Sequence, residues 1–301
     1  MNSRVLLNLG LNAYKCHKCK QGIIMNKKII LIFSLILAVF LMSSAVYAEG
    51  FFDFFSNDNS GAVNDDKTFT VGFSDVFPPF GYKTDDGNYT GFDYELAKEV
   101  AKRNNWTFKP HAIIGWDTKE DELNSNAIDC IWSEFTIDGR EDKYTWSDPY
   151  FNNSQVIVVK KDSNINSFAD LKGKSVELLF SSSAENLVDE NKSLMDSFAK
   201  VDKISDYNTG FMDLESGACD ALIVDVGCAK YHIAQKFSNS SFKILDKPIK
   251  YDKYGIAFKK GNDGLRNQVQ KTLDEMFKDG TVDKIAQNYS DYGIPERVIH
   301  P

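Results

Sequence analysis

The chain lacks the signatures of most catalytic chemistry. It has no nucleophile elbow, no P-loop and no complete metal-ligand cluster. Histidine is scarce, with four residues in 301 (His17, His111, His232 and His300), so acid–base pairs built on imidazole have little to draw on. Cysteine is nearly as scarce at five. Cys16 and Cys19 form "CHKC", half of a zinc site with no second half after it, which favours coincidence. Cys130 lies in an apolar run and reads as a buried thiol. Cys219 and Cys228 flank "DALIVD"; a disulfide between them is open in an exported protein, but the sequence does not establish it. No long low-complexity tract argues for disorder. Long apolar runs are missing too, save one from Ile29 to Met42, which is short for a membrane span. No enzyme, cofactor or metal is therefore expected.

That single apolar run has a definite context. Met25 opens "MNKKIILIFSLILAVFLMSSAVYAEG", with Lys27 and Lys28 before the run and small residues after it. Val46-Tyr47-Ala48 fits a signal-peptidase site, with cleavage before Glu49. Residues 25–48 are thus read as a signal peptide, with a retained anchor as the minor alternative. Residues 1–24 read as an over-extended N-terminus, because they precede a complete signal. No cysteine lies near the cleavage point, so no lipoprotein anchor is signalled. Residues 49–66 read as a linker: "FFDFF" has no clear role, and the Asn/Asp/Ser/Gly stretch after it is polar. The expected location is the periplasm or cell surface.

Basic charge is also in short supply once that leader is removed. Residues 1–48 carry six basic residues and no acid, so the formal charge falls from −8 to −14. Such a balance argues against nucleic acid or an anionic membrane surface as partner.

The remainder alternates between strand and helix patterns. "TFTVGFS" reads as a strand, and "GFDYELAKEVAKRNN" as a helix with Phe92, Leu96, Ala97, Val100 and Ala101 on one face. "WTFKPHAI", "AIDCIW", "SQVIVVKK", "SVELL", "CDALIVD" and "KYGIAFKK" read as strands. "WDTKEDELNSN", "SSAENLVDENK", "GFMDLESG", "VGCAKYHIAQKF", "NDGLRNQVQKTLDEMFKDG" and "TVDKIAQNYSDY" read as helices. The alternation predicts an α/β architecture with largely parallel sheets. There are too many units for one compact sheet at this length. "SQVIVVKKDSN" has the character of a strand crossing between two lobes, and a second crossing is expected near "KPIKYDKYG". One lobe would comprise residues 67–156 plus 251–301, the other 157–250, with hinges near Val156–Lys160 and Lys250–Tyr254. Ligands in open α/β sheets sit beyond the carboxyl ends of the strands, so a cleft between the lobes is the expected site.

Four strand-end stretches carry the chemistry: "FSDVFPPFGY", "SEFTIDGRED", "FSSSAEN" and "VDVG". Together they offer one arginine, a helix start with hydroxyls and backbone N–H groups, and one aspartate. The guanidinium of Arg140 can hold a carboxylate through two parallel hydrogen bonds. The helix start at Ser181–Ser183 offers further donors to the same anion. Asp225 can pair with an ammonium. Each has an ordinary alternative: a surface ion pair of Arg140 with Glu141 or Asp142, serines that are only helix caps, a turn aspartate.

Five stretches resemble the extracytoplasmic amino-acid-binding proteins of ABC importers. They are "FPPFGY…DGNYTGFDYELAKEVAKR", "LNSNAIDCIWSEFTIDGREDKYTWSDPY", "FADLKGKSVELLFSSSAEN", "ESGACDALIVD" and "YGIAFKKGNDGLRNQVQKTLDEMFKDG", in family order over residues 67–290. The resemblance implies two Rossmann-like lobes of the type II periplasmic binding-protein kind, closing around one amino acid. It implies Arg140, Ser182 and Ser183 at the ligand α-carboxylate and Asp225 at the α-ammonium. It further implies Thr136 and Ser133 as cleft hydroxyls and Phe77 and Trp116 as rings sandwiching the ligand side chain. Ser74 and Leu179, at strand ends, complete the candidate set with Asp75 and Glu134. Three departures bear on ligand identity. Ser74 and Asp75 stand where the acid is usually placed one residue earlier, Thr136–Arg140 is one residue shorter than usual, and Glu134 replaces a small residue.

The expected partners are a free L-amino acid and a membrane permease, and a monomer is expected. If Glu134 and Asp75 face the ligand, arginine, lysine or another polar amino acid is favoured over glutamate or aspartate. If both face solvent, a neutral polar or sulfur-containing amino acid fits equally. The alternative from another class is an enzyme on the same scaffold resembling cyclohexadienyl dehydratases, with Glu134 as its general acid.

Overall fold

The computed structural model describes residues 67–235 and 241–301. The readings of residues 1–66 as over-extension, signal peptide and linker, together with Cys16 and Cys19, lie outside the described residues.

The helix Phe92–Arg103 shows why the sequence pattern works locally. Its buried residues are Phe92, Asp93, Leu96, Ala97, Val100 and Ala101, a stripe at helical spacing. Acids occupy its first turn and Lys102 and Arg103 its last, matching the helix dipole. This helix covers the strand Thr68–Phe73, which is buried from Phe69 onward.

Two main sheets result. The first has the order 107–112, 68–73, 130–131, 257–258, 145–146. Its first three strands run parallel, whereas 257–258 is antiparallel to both neighbours. The second has the order 200–204, 175–179, 221–225, 151–160, 242–244, and 250–254 also pairs with 151–160. Again three strands are parallel, but 151–160 is antiparallel to everything beside it. The sheets are therefore mixed rather than largely parallel. The antiparallel members are the segments where the chain leaves one sheet and returns to the other. A third, small antiparallel sheet joins 76–77, 81–83 and 89–90, which periodicity over so few residues could not reveal.

The crossings lie side by side. Phe151–Lys160 pairs with Lys250–Tyr254, Gln155 opposite Lys250 and Phe151 opposite Tyr254. "KYGIAFKK", read as one strand, is split: Tyr254 ends in the second sheet, and Ala257–Phe258 belongs to the first. Aromatic rings fill the junction. Phe80 meets Phe151 and Tyr254 edge-on at 5.2 and 5.3 Å, and Phe151 stacks on Tyr254 at 5.4 Å.

Cys130, Cys219 and Cys228 are buried free thiols. Cys219 precedes and Cys228 follows the five-residue strand Ala221–Asp225. At roughly 3.3 Å per residue that strand spans about 13 Å from Ala221 to Asp225, and with the cysteines beyond its opposite ends they are not placed for a disulfide.

One glycine is required by the junction. Gly91 has φ 128°, and a Cβ there would lie 2.2 Å from the Phe80 carbonyl oxygen. Gly91→Ala combines backbone strain with a backbone clash, so a loss of about 2–5 kcal/mol is expected in denaturant unfolding. A change within about 0.5 kcal/mol, typical of a surface site, would contradict this packing.

Candidate ligand-binding cleft

A cavity of about 200 Å³ lies where strands of both sheets end. Its lining comes from six segments that follow strands: Ser74, Val76 and Phe77 after 68–73; Ile113–Asp117 after 107–112; Glu134–Thr136 and Arg140 after 130–131; Leu179–Ser183 after 175–179; Ser205–Tyr207 after 200–204; and Asp225 at the end of 221–225. Parallel strands point their carboxyl ends the same way, so the loops converge.

Arg140 is 8% exposed. One guanidinium nitrogen, Nη1, donates to the Thr136 carbonyl at 3.1 Å, and Trp146 Nε1 donates to the carbonyl of Arg140 at 3.1 Å. The guanidinium carbon lies 5.0 Å from the centre of the Phe135 ring. Phe135 is itself held by Trp116, Tyr144 and Trp146. Among the described residues no carboxylate forms an ion pair with Arg140, and burial lowers its pKa. This is a desolvated cation with spare donors facing a cavity.

The serines are more committed than the sequence indicates. Ser182 caps the helix Ser183–Glu190: its Oγ accepts from Glu185 N at 3.2 Å and donates to the Leu179 carbonyl at 2.6 Å. Ser183 Oγ accepts from Gln155 Nε2 at 2.8 Å and donates to Asp252 Oδ2 at 3.3 Å. What the helix start retains for a ligand is its backbone N–H groups, which lack helical partners in the first turn.

Asp225 is buried in front of a polar hub. Its Oδ1 accepts from Tyr254 Oη at 2.6 Å, from Gln155 Nε2 at 2.7 Å and from Asn153 Nδ2. Burial, and then the neighbouring Asp252, raise its pKa.

Glu134 is half-buried and sits at φ 40°, in the left-handed region. Its backbone N–H donates to Asp93 Oδ2 at 2.6 Å, and its Oε2 accepts from Ser133 Oγ at 2.7 Å. Burial, then Asp93, push its pKa well above the usual carboxylate range.

Ten of the twelve candidate residues line this one cavity: Ser74, Phe77, Trp116, Glu134, Thr136, Arg140, Leu179, Ser182, Ser183 and Asp225. Ser133 and Asp75 are outside the lining. The Ser133 hydroxyl is fully buried, accepting from Ser74 N at 2.8 Å and donating to Glu134, so it supports the wall from behind. Asp75 lies in the bend between Ser74 and Val76, half-buried and outside the cavity lining.

The sequence profile of the bacterial extracellular solute-binding proteins, family 3, matches residues 69–292. The chain belongs to this family. Its fold is the α/β, two-lobed arrangement of type II periplasmic binding proteins. The L-cystine-binding protein TcyJ of Escherichia coli K12 is 32% identical over 232 residues, covering 75% of this chain and 84% of its own. A solved ancestral arginine-binding protein with bound arginine is 37% identical, with a TM-score of 0.68, covering 74% of this chain and 97% of its own. A solved ancestral amino-acid-binding protein, described as a precursor of cyclohexadienyl dehydratase, is 31% identical with a TM-score of 0.67, covering 74% and 95%.

Within this family-3 chain, sequence reasoning missed part of the cleft. The lining segment Ser205–Tyr207 follows the edge strand Lys200–Ile204, whose "KVDKI" is half-exposed and too charged to read as a strand. Tyr207 meets Phe77 edge-on at 5.4 Å. Asn153, Gln155 and Asp252 are almost fully buried polar residues behind Asp225. The available signal was the polar run 152–155 at the start of a strand that is apolar from Val156 to Val159; Asn153 and Gln155, at i and i+2, share one face.

Proposed function

We propose that this solute-binding protein captures one free, polar amino acid in the cleft and delivers it to the membrane permease of an ABC importer. The observation that carries this reading is Arg140, buried at the cavity wall without a carboxylate partner among the described residues, with Asp225 lining the same cavity. A zwitterion satisfies both: its carboxylate takes the free guanidinium donors and the N–H groups at Ser183, and its ammonium takes Asp225. The names of similar proteins, binders of cystine and arginine, support the same class.

The side-chain end is acidic. With the zwitterion matched, Glu134, Asp117 and Asp206 remain in the lining and no second cation does. That excess favours a cationic side chain and penalises an acidic one. Phe77 and Trp116 would flank its stem. Cystine is the second reading, favoured by the name of the cystine-binding relative; its far end brings a second ammonium together with a second carboxylate. The dehydratase-like alternative gains no support from the names of the curated relatives, and binding without turnover is proposed. Export through residues 25–48, monomeric action outside the membrane, and closure of lobes 67–156 plus 251–301 onto 157–250 belong to the same proposal.

Thermal-shift measurement with the twenty amino acids and cystine tests it. A ligand at a hundred times its Kd adds about 2.7 kcal/mol of stability. Arginine or lysine should give the largest upward shift, and Glu134→Gln should reduce the margin of arginine over glutamine. Glutamate giving the largest shift would sink the cationic preference. No shift with any of them would sink amino-acid binding.

A further inference from the structure

Behind Asp225 stands a second buried acid, Asp252, on the crossing strand 250–254. Asp225 is 6% exposed and Asp252 3%. The two carboxylates draw on the same donors. Asn153 Nδ2 donates to Oδ1 of both, at 2.7 Å to Asp252. Gln155 Nε2 donates at 2.7 Å to Asp225 and at 3.4 Å to Asp252. Tyr254 Oη adds a bond to Asp225, and Ser183 Oγ one to Asp252. All four donors are neutral, and among the described residues neither acid forms an ion pair with a lysine or arginine.

The wider surroundings do not supply the missing charge. Lys250 acts on Asp252 from its own strand, and Asp138 opposes it. Across the cavity Arg140 attracts both acids and Glu134 repels Asp225. Tyr207 and Cys228, packed against Asp225, are buried groups that stay neutral. On the other side of Asp252, Lys253, Glu296 and Arg297 line a more open pocket. Two neighbouring carboxylates held by shared neutral donors cannot both ionise cheaply, and they titrate as a pair.

Resting on the amino-acid reading above, we infer that Asp252 is a positioning residue of the ammonium subsite: it and Asp225 hold one proton between them, and capture of an α-ammonium expels that proton. The step balances. The carboxyl O–H bond breaks, the proton passes to solvent, and an ammonium N–H donates to the carboxylate left behind. Burial raises the pKa of both acids, with Asp252 second among the causes at Asp225, as a shared proton requires.

The sign of the pH dependence follows. A raised pKa means the protonated pair is the competitor of the cation. Affinity should therefore fall as pH drops below the pair's pKa, by about tenfold per pH unit for one proton, and level off once the pair is ionised.

Calorimetry with L-arginine and L-glutamine, at about pH 6 in two buffers of different ionisation enthalpy, reads the released proton directly. Wild type should release a substantial fraction of one proton per ligand. Asp252→Asn removes the competing charge, so release should fall by at least half and the affinity should become nearly flat with pH. With L-glutamine, whose side chain brings no charge, Glu134→Gln should keep the release, because Glu134 is outside the pair; with L-arginine Glu134 adds a proton of its own, since its pKa is raised too. Binding with no proton release between about pH 5 and 8 would overturn the inference and leave amino-acid binding standing. So would release with L-glutamine that disappears in Glu134→Gln and persists in Asp252→Asn. The wild-type measurement decides the matter alone if Asp252→Asn does not fold. If no amino acid binds at all, the parent reading falls and this one with it.

Discussion

Arg140→Ala is expected to weaken amino-acid binding by about 3–5 kcal/mol, a loss of two to nearly four decades in Kd. The size comes from burial on both sides of the contact. The ligand carboxylate would enter a site with no other cationic side chain in the lining, and without the guanidinium it would be left desolvated and unpaired. Arg140→Lys should restore little, because an ammonium lacks the planar fork that grips both carboxylate oxygens. The same change should leave the unliganded protein as stable as wild type or more so. A buried guanidinium without a carboxylate partner costs stability, and its one donated bond, to the Thr136 carbonyl, and its stacking on Phe135 are modest returns. Titration calorimetry and unfolding of the free protein check both halves. An affinity within threefold of wild type would remove Arg140 from the carboxylate subsite.

Asp225→Asn should cost less, about 2–4 kcal/mol of binding. Its Oδ1 already accepts three hydrogen bonds, from Asn153, Gln155 and Tyr254. An asparagine would turn its oxygen toward those donors, leaving its NH2 toward the cavity, donor against the ligand's ammonium. Folding should be kept, since the hub retains its acceptor and loses one of two crowded carboxyl groups. Measured by calorimetry near pH 8, where the acid pair is most ionised, the loss should be at its largest. Unchanged affinity there would place the ammonium elsewhere.

Much of this cleft is legible in the residues. The ends of a zwitterion demand a guanidinium and a carboxylate, and Arg140 and Asp225 stand in short polar turns after apolar strands, where α/β sheets place ligands. The helix Phe92–Arg103 is equally plain, because a stripe at helical spacing needs no tertiary information. The strands around Cys130–Ile131 and Ala257–Phe258 are legible as apolar runs, but a run in which two residues pair carries no signal of strand direction, so their antiparallel pairing is not legible.

Side-chain direction divides the rest. Composition and spacing establish an α/β chain with one arginine, one helix start and one aspartate at strand ends, because those depend on local propensity and on residue type alone. Which hydroxyl is free, and which acid faces the ligand, depends on contacts between residues far apart in the chain. Ser183 is drawn toward Asp252 across 69 residues of sequence, and Ser133 is turned under Glu134 by the backbone of Ser74, 59 residues earlier. Asp225 and Asp252 become neighbours only because strands 151–160 and 250–254 cross together and bring Asn153 and Gln155 between them. Long-range strand register is set by burial summed over the whole core, so no window of sequence contains it.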